Sequence, residues 1–300
     1  MNWKAAVPNG SLKVSVDKKQ ARRDDRRSEG QEQFYMPIDK FKNLTASDLD
    51  KVVWRYLTFP KYISLLTYGA LWFSKLNILT DEYEGHMPTK TDAEMRAATN
   101  ALKFNLPPEL RDQLAGTNRR NVEDGRELTA VICWFLDNNE SKKMWVEYSA
   151  ASEGVAIKST IRQLSQYVYC EPQYTVIGRV KYVDLDAHTM SHYEANQAHE
   201  RAFLKRLEYE HENEVRIVTL NFRGPMCVSM EGESLTPSEY QGAGMNNFEN
   251  PGLYIRSNLQ KLITATVLAP GASTWFELLV KKIVRLSNVG EPVERSGLEE

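Results

Sequence analysis

The sequence predicts an α+β fold: a single mixed domain with a central, partly antiparallel sheet flanked by helices. Three observations carry this expectation. Short β-branched and aromatic words alternate with stretches of helical composition, without a strict strand–helix repeat. Hydrophobic residues make up 42% and charged residues 26% of 300 positions, an ordinary globular balance. No internal repeat is present.

The elements follow in order. Val52 to Leu57 reads as a strand, and Pro60 opens a short helix that Gly69 closes after Tyr68. Ala70 to Ser74 is a second strand. Residues 91 to 104 and 108 to 120 have helical composition on either side of Pro107-Pro108. Ala130 to Leu136 reads as a buried strand, Ser141 to Ser149 as a short helix, and Val155 to Ile157 as a strand leading into a helix from Thr160 to Tyr167. Gly178 to Val183 alternates like a strand, and His188 to Leu207 carries helical spacing. Glu214 to Leu220 and Leu262 to Leu268 are further strands. After Pro270-Gly271, Ser273 or Thr274 caps a helix running to about Leu286. The expected domain spans 46–288, between a charged N-terminal tail (1–45) and a polar C-terminal tail (289–300).

Charge and cysteine usage exclude several classes. The formal net charge is −2, from 38 basic and 40 acidic side chains, which argues against a generic nucleic-acid binder. Residues 1–33 are the exception, with a net +3. They read either as a solvated tail or as an arm that contacts nucleic acid or a partner. Cys133, Cys170 and Cys227 stand far apart with no C-x-x-C pair, so no zinc ribbon or redox dithiol is encoded. A reducing cytoplasm is the simplest compartment. The longest apolar runs fall far short of the roughly 20 residues that span a bilayer, so no membrane association is expected.

Five words carry a resemblance when read together. They are Arg55-Tyr56-Leu57, Leu71-Trp72-Phe73-Ser74, Asp81-Glu82-Tyr83-Glu84-Gly85, Met144-Trp145-x-x-Tyr148 with Gly154-Val155-Ala156-Ile157, and Tyr209-Glu210-x-Glu212-x-Glu214-Val215-Arg216. Over roughly residues 50–285 this string resembles a widespread bacterial family of domains of unknown function, often found near mobile and defence loci. Leu136 departs from it, where a serine is expected after Cys133-Trp134-Phe135. The first three words are also similar to the start of ADP-ribosyltransferase folds. That similarity implies an NAD-consuming enzyme, a bacterial or phage toxin or defence effector, with an unknown macromolecular acceptor. Arg55, Tyr56, Phe73 and Ser74 would then hold NAD, with an aromatic facing the nicotinamide ring. One of Glu210, Glu212 and Glu214 would be the catalytic carboxylate. Cleaving the nicotinamide bond develops oxocarbenium charge at the ribose, which a carboxylate stabilises.

The same residues admit other readings. On a strand, Glu208, Glu210, Glu212 and Glu214 align on one face with Arg216, either as a solvent-facing charge ladder or as a catalytic or metal-binding set. Asp81 and Glu84 are either a helix capping box or site acids. Together with the glutamates they would suit a metal-dependent nuclease or phosphodiesterase. His188, His192 and His199 share one face of the expected helix, without an H-E-x-x-H motif, and read as a polar face. Met144, Trp145 and Tyr148, at i, i+1 and i+4, read as a set of which part packs on the core, or as the lining of a ligand cleft beside Ser149. No Gly-rich phosphate loop is present. A non-enzymatic binding module, with Arg55 neutralised in the core, is the third class.

Overall fold

The computed structural model describes residues 37–103, 107, 123, 125–149, 151–170, 175–220 and 251–298. The expected helix at 108–120, Cys227, and residues 1–36 of the N-terminal tail lie outside them, as do Glu299 and Glu300. The strands are β1 (Phe41–Lys42), β2 (Val52–Thr58), β3 (Ala70–Lys75), β4 (Thr129–Leu136), β5 (Gly154–Thr160), β6 (Thr175–Arg179), β7 (Lys181–Val183), β8 (Leu204–Arg206), β9 (Glu214–Leu220), β10 (Gly252–Arg256), β11 (Ala265–Leu268) and β12 (Val293–Arg295). The helices are α1 (Phe59–Tyr68), α2 (Thr89–Lys103), α3 (Lys142–Tyr148), α4 (Ile161–Tyr167), α5 (His192–Ala195), α6 (Ala198–Arg201), α7 (Leu259–Leu262) and α8 (Thr274–Ser287).

The fold is α+β, as the sequence pattern predicts. One mixed sheet runs in the order β1-β6-β9-β4-β2-β5-β11-β12, and β3 joins it by pairing with β4 and carrying β10 on its other side. Its interior pairs are antiparallel, while β1–β6 and β11–β12 at the two margins are parallel. β7 and β8 form a separate two-stranded parallel sheet.

Local chemistry explains these elements. β2 alternates strictly: Val53 and Leu57 enter the main core, while Trp54 and Tyr56 enter a second cluster with Phe135, Met144 and Trp145 on the other face. α1 starts with a proline in its first turn and ends at Gly69, whose left-handed backbone (φ 58°) lets its N–H reach the Leu65 carbonyl. α8 is capped by the Ser273 hydroxyl, which accepts from the Phe276 N–H at 3.1 Å. It buries Phe276, Val280 and Val284 against the main core. Gly252 is required for a different reason, since a Cβ there would lie 2.2 Å from the Phe73 carbonyl oxygen across the β3–β10 pair.

Several expectations are corrected. The expected helix His188–Leu207 is two four-residue helices, α5 and α6, followed by strand β8. The Ser191–Glu194 capping box starts α5 at His192, and Asn196 closes it, so the three histidines do not share one helix face. The acidic run is not a strand ladder. Leu207–Glu212 is a 3-10 turn, and Asn213 in the left-handed region (φ 37°) makes the corner into β9. Asp81 and Glu84 cap no helix, because they lie in a turn and α2 begins only at Thr89. The Gly178–Val183 strand is split between β6 and β7, and β11 begins at Ala265 after α7. At both ends the sheet takes in residues assigned to tails, Phe41–Lys42 and Val293–Arg295. No helix of the described residues is long and apolar enough to cross a membrane.

Phe276 is fully buried and meets Phe59 edge-on at 5.1 Å between ring centroids. Phe276→Ala should lower the unfolding free energy by about 3–5 kcal/mol. Urea denaturation measures this, and a loss below about 1 kcal/mol would mean that α8 is not integral to the cooperative core.

Candidate functional site: a cavity at the fork of the sheet

Strand β4 is shared by two neighbours along one edge. β2 pairs with it only at Phe135 and Leu136, and β3 only at Ala130 and Val131. Between these contacts β2 and β3 diverge and the sheet forks. Arg55 leaves β2 at this point and its Nη1 donates to the Cys133 carbonyl at 2.9 Å, pairing a β4 acceptor that lies in the gap. Arg55 is half-buried, and among the described residues no carboxylate forms an ion pair with it. Burial pushes its guanidinium down to about 10, and the field of Glu214 opposes that shift.

A cavity of about 420 Å³ opens beside the fork. β2 contributes Arg55, α1 contributes Lys61 and Ser64, β3 contributes Trp72 and Ser74, and β10 contributes Tyr254. The polar groups are oriented by one another. The Trp72 indole N–H donates to the Ser74 hydroxyl at 3.2 Å, and the hydroxyls of Ser64 and Tyr254 are 2.9 Å apart. Trp72 meets Tyr254 edge-on at 4.8 Å, and Tyr68 packs on Tyr254 at 4.5 Å. The cavity thus combines two cations, three hydroxyls and an aromatic wall. This set suits a ligand bearing both anionic groups and a planar ring.

The predicted residues divide between this cavity and the rest of the fold. Arg55 and Ser74 line it; Tyr56 and Phe73 do not. Tyr56 points to the opposite face of β2, where its ring meets Trp145 edge-on at 4.9 Å and its hydroxyl accepts from the Ser141 N–H at 2.9 Å. Phe73 is fully buried in the main core. Lys61, Ser64, Trp72 and Tyr254 were not assigned to the site from the sequence.

The glutamates occupy a second centre, a buried ion network. Arg216 on β9 is fully buried and is held bidentately by Glu84, Nη1 to Oε2 at 2.5 Å and Nη2 to Oε1 at 2.9 Å. Its Nε donates to Glu214 at 2.5 Å and its Nη1 also donates to the Ala202 carbonyl at 2.8 Å. Lys205 on β8 binds Glu212, Glu214 at 3.1 Å and Glu84 at 3.3 Å. The Tyr148 hydroxyl donates to Glu212 at 2.6 Å. Burial, with the neighbouring Glu214, pushes Glu212 up to about 7. Burial opposes charge on Glu214 as well, but Arg216, Glu212 and Lys205 hold it well below the usual carboxylate range. Glu210 stands apart from this network and is exposed.

Compared with known proteins, the chain matches no family model, no curated sequence and no solved structure.

The clustered acids are neutralised from within the protein. Asp81 is paired with Arg206 at 3.0 Å, and Glu84, Glu212 and Glu214 with Arg216 and Lys205. That pairing removes the open, hydrated carboxylate array which a metal-dependent nuclease needs from Asp81, Glu84 and the glutamate run. Cys133 and Cys170 are both pushed up to about 12 by burial, so neither thiol is an activated nucleophile.

Removing one partner from a buried ion pair leaves the other uncompensated. Glu84→Ala should destabilise the fold by about 3–5 kcal/mol, whereas Glu210→Ala should change it by less than about 0.5 kcal/mol. Chemical denaturation of the two variants side by side checks the contrast.

Proposed function

We propose that the fork cavity binds a dinucleotide, NAD foremost, and that the protein is an NAD-consuming enzyme of the ADP-ribosyltransferase type. The observation that carries this reading is Arg55. It is half-buried in the cavity wall, its protein partner is a neutral carbonyl, and none of the described carboxylates neutralises it. A cation held in this way favours an anionic ligand, because the site is largely desolvated before the ligand arrives.

The remaining lining residues support the same ligand class. Lys61 supplies a second cation for a pyrophosphate, and Ser64 and Ser74 supply hydroxyls suited to phosphate or ribose oxygens. Trp72 and Tyr254 supply the aromatic contact that the sequence reading gave to Tyr56 or Phe73. A volume of about 420 Å³ suits the nicotinamide–ribose end of NAD rather than the whole dinucleotide. The carboxylate in this reading is Glu214. It stands on β9 opposite Phe135 of β4, the strand whose Cys133 carbonyl Arg55 holds, and Arg216 keeps it ionised. It is paired with Arg216 and Lys205 and does not line the cavity, so in this reading its part is to hold the β9 and β4 framework beside Arg55 rather than to touch the ribose.

Calorimetric titration with NAD tests the binding step. Saturable binding is expected, with Arg55→Ala weakening it at least about tenfold. Trp72→Ala should cost about 1–3 kcal/mol of binding free energy through lost stacking. Absence of NAD binding, or binding unchanged in Arg55→Ala, would overturn the reading. Transfer of labelled ADP-ribose to cell extract then tests the reaction itself.

A further inference from the structure

Three carboxylates and two cations meet in the buried network, and the bonds divide unevenly among them. Both oxygens of Glu84 accept from Arg216, and Glu214 accepts from Arg216 Nε at 2.5 Å and from Lys205 at 3.1 Å. Glu212 has no guanidinium partner. Its oxygens accept from the Lys205 ammonium and from the Tyr148 hydroxyl at 2.6 Å. Glu212 and Glu214 thus converge on one ammonium, close enough for their side chains to share a hydrogen bond. Two ionised carboxylates repel in such a position, whereas one proton between them turns the repulsion into a bond.

We propose that this pair is a proton-operated latch: with one proton held between Glu212 and Glu214, α3 is docked on the turn before β9, and release of the proton loosens that docking. Charge balance supports it. With all three carboxylates ionised, Lys205 and Arg216 leave one negative charge over, among side chains that are all buried. An uncompensated buried charge is strongly unfavourable, and taking up a proton is the simplest relief. Burial, with Glu214 beside it, pushes Glu212 up to about 7. Burial disfavours charge on Glu214 too, but Arg216 outweighs it, so the proton resides on Glu212.

The other groups around the pair bond elsewhere or are uncharged. From β4, burial pushes the Cys133 thiol up to about 12, and from β7 the Tyr182 hydroxyl accepts from the Glu214 N–H. Glu147 of α3 and His211 of the turn bond each other at 3.0 Å, and Tyr209 offers its ring to Lys205. Arg206 is paired with Asp81 and Glu208, and Arg55 is engaged with the Cys133 carbonyl.

The latch acts at one end of α3. Tyr148 is the last residue of that helix and is 41% exposed, so its bond to Glu212 lies where the network meets solvent. The opposite end is held separately, by the Ser141 N–H on the Tyr56 hydroxyl and by Trp145 on the Tyr56 ring. Once ionised, Glu212 is better solvated in water, and the 3-10 turn that carries it moves away from Tyr148.

Glu212→Gln keeps the size of the side chain but cannot ionise, and urea unfolding of wild type and variant between about pH 5.5 and pH 8 is the test. A carboxyl whose folded value is raised binds its proton more tightly in the fold, so its stabilisation is lost as the pH climbs through about 7. The wild-type unfolding constant should therefore rise at least about tenfold over that range relative to the variant's. His86, His188 and His199, shifted down by burial, give the opposite slope, which the comparison cancels because both proteins carry them. Two measurements on the wild type do not depend on how the variant folds. Infrared difference spectra should show one buried protonated carboxyl at the lower pH that is gone at the higher. Hydrogen exchange at the Tyr148 end of α3, corrected for the intrinsic pH dependence, should accelerate over the same range. Equal pH slopes in the two proteins, no protonated carboxyl in the wild type, or unaltered α3 exchange as the proton leaves would overturn the proposal.

Discussion

The guanidinium of Arg216 is the constraint around which this half of the molecule is arranged. A fully buried arginine is tolerated only when its donors are met, and here Glu84, Glu214 and the Ala202 carbonyl meet them. Those partners come from the turn after β3, from β9 itself, and from the segment between α6 and β8. Lys205 then ties Glu84 and Glu214 to Glu212 and hence, through Tyr148, to α3. The second face of the sheet therefore combines this ion network with its own aromatic cluster, whereas the first is organised by aliphatic and aromatic packing against α1, α4 and α8. Each arrangement is specific in a different way: packing sets shape, and the ion network sets which segments meet.

The fork between β2 and β3 follows from how β4 distributes its edge. A strand of eight residues pairs with one neighbour at its end and another at its start, and the middle is left for a side chain to complete. Arg55 does so with one N–H, which leaves further donors on a planar, permanently charged group. A backbone defect in the sheet and a cation at the cavity wall thus have one origin. In this respect the cavity belongs to the fold and needs no inserted loop to build it.

Local features were legible in the sequence, and non-local ones were not. β2, α1 and β3 announce themselves through alternation, Pro60 and Gly69, all of which act within a few residues. The glutamate run misleads because a spacing of two matches a strand, while the turn that interrupts it depends on Asn213 and on Lys205 drawing Glu212 inward. Lys205 sits in a stretch of helical composition, and its burial is decided by partners at 84, 212 and 214. The cavity was half legible. Arg55 and Ser74 were found, but Arg55 and Tyr56 are successive residues on one strand and point to opposite faces, so both could not serve one site. Tyr254 lies on a strand the sequence pattern did not reveal, in a segment without strong alternation, and it is placed by its register opposite Trp72.

The margins of the sheet bear on how copies of the protein meet. Among the described residues the eight-strand run ends at β1, two residues long, and at β12, three residues long, and each is held in parallel pairing. Lys42, Glu294 and Arg295 at these margins are engaged with Glu200, Lys158 and Glu277. So short and so charged an edge offers a foreign strand almost no ladder to extend, a recognised defence against edge-to-edge aggregation. These two ends of the path are thereby blunted without the sheet being closed into a barrel. At these two ends, crowding should lead to contacts through faces and not to runaway strand addition.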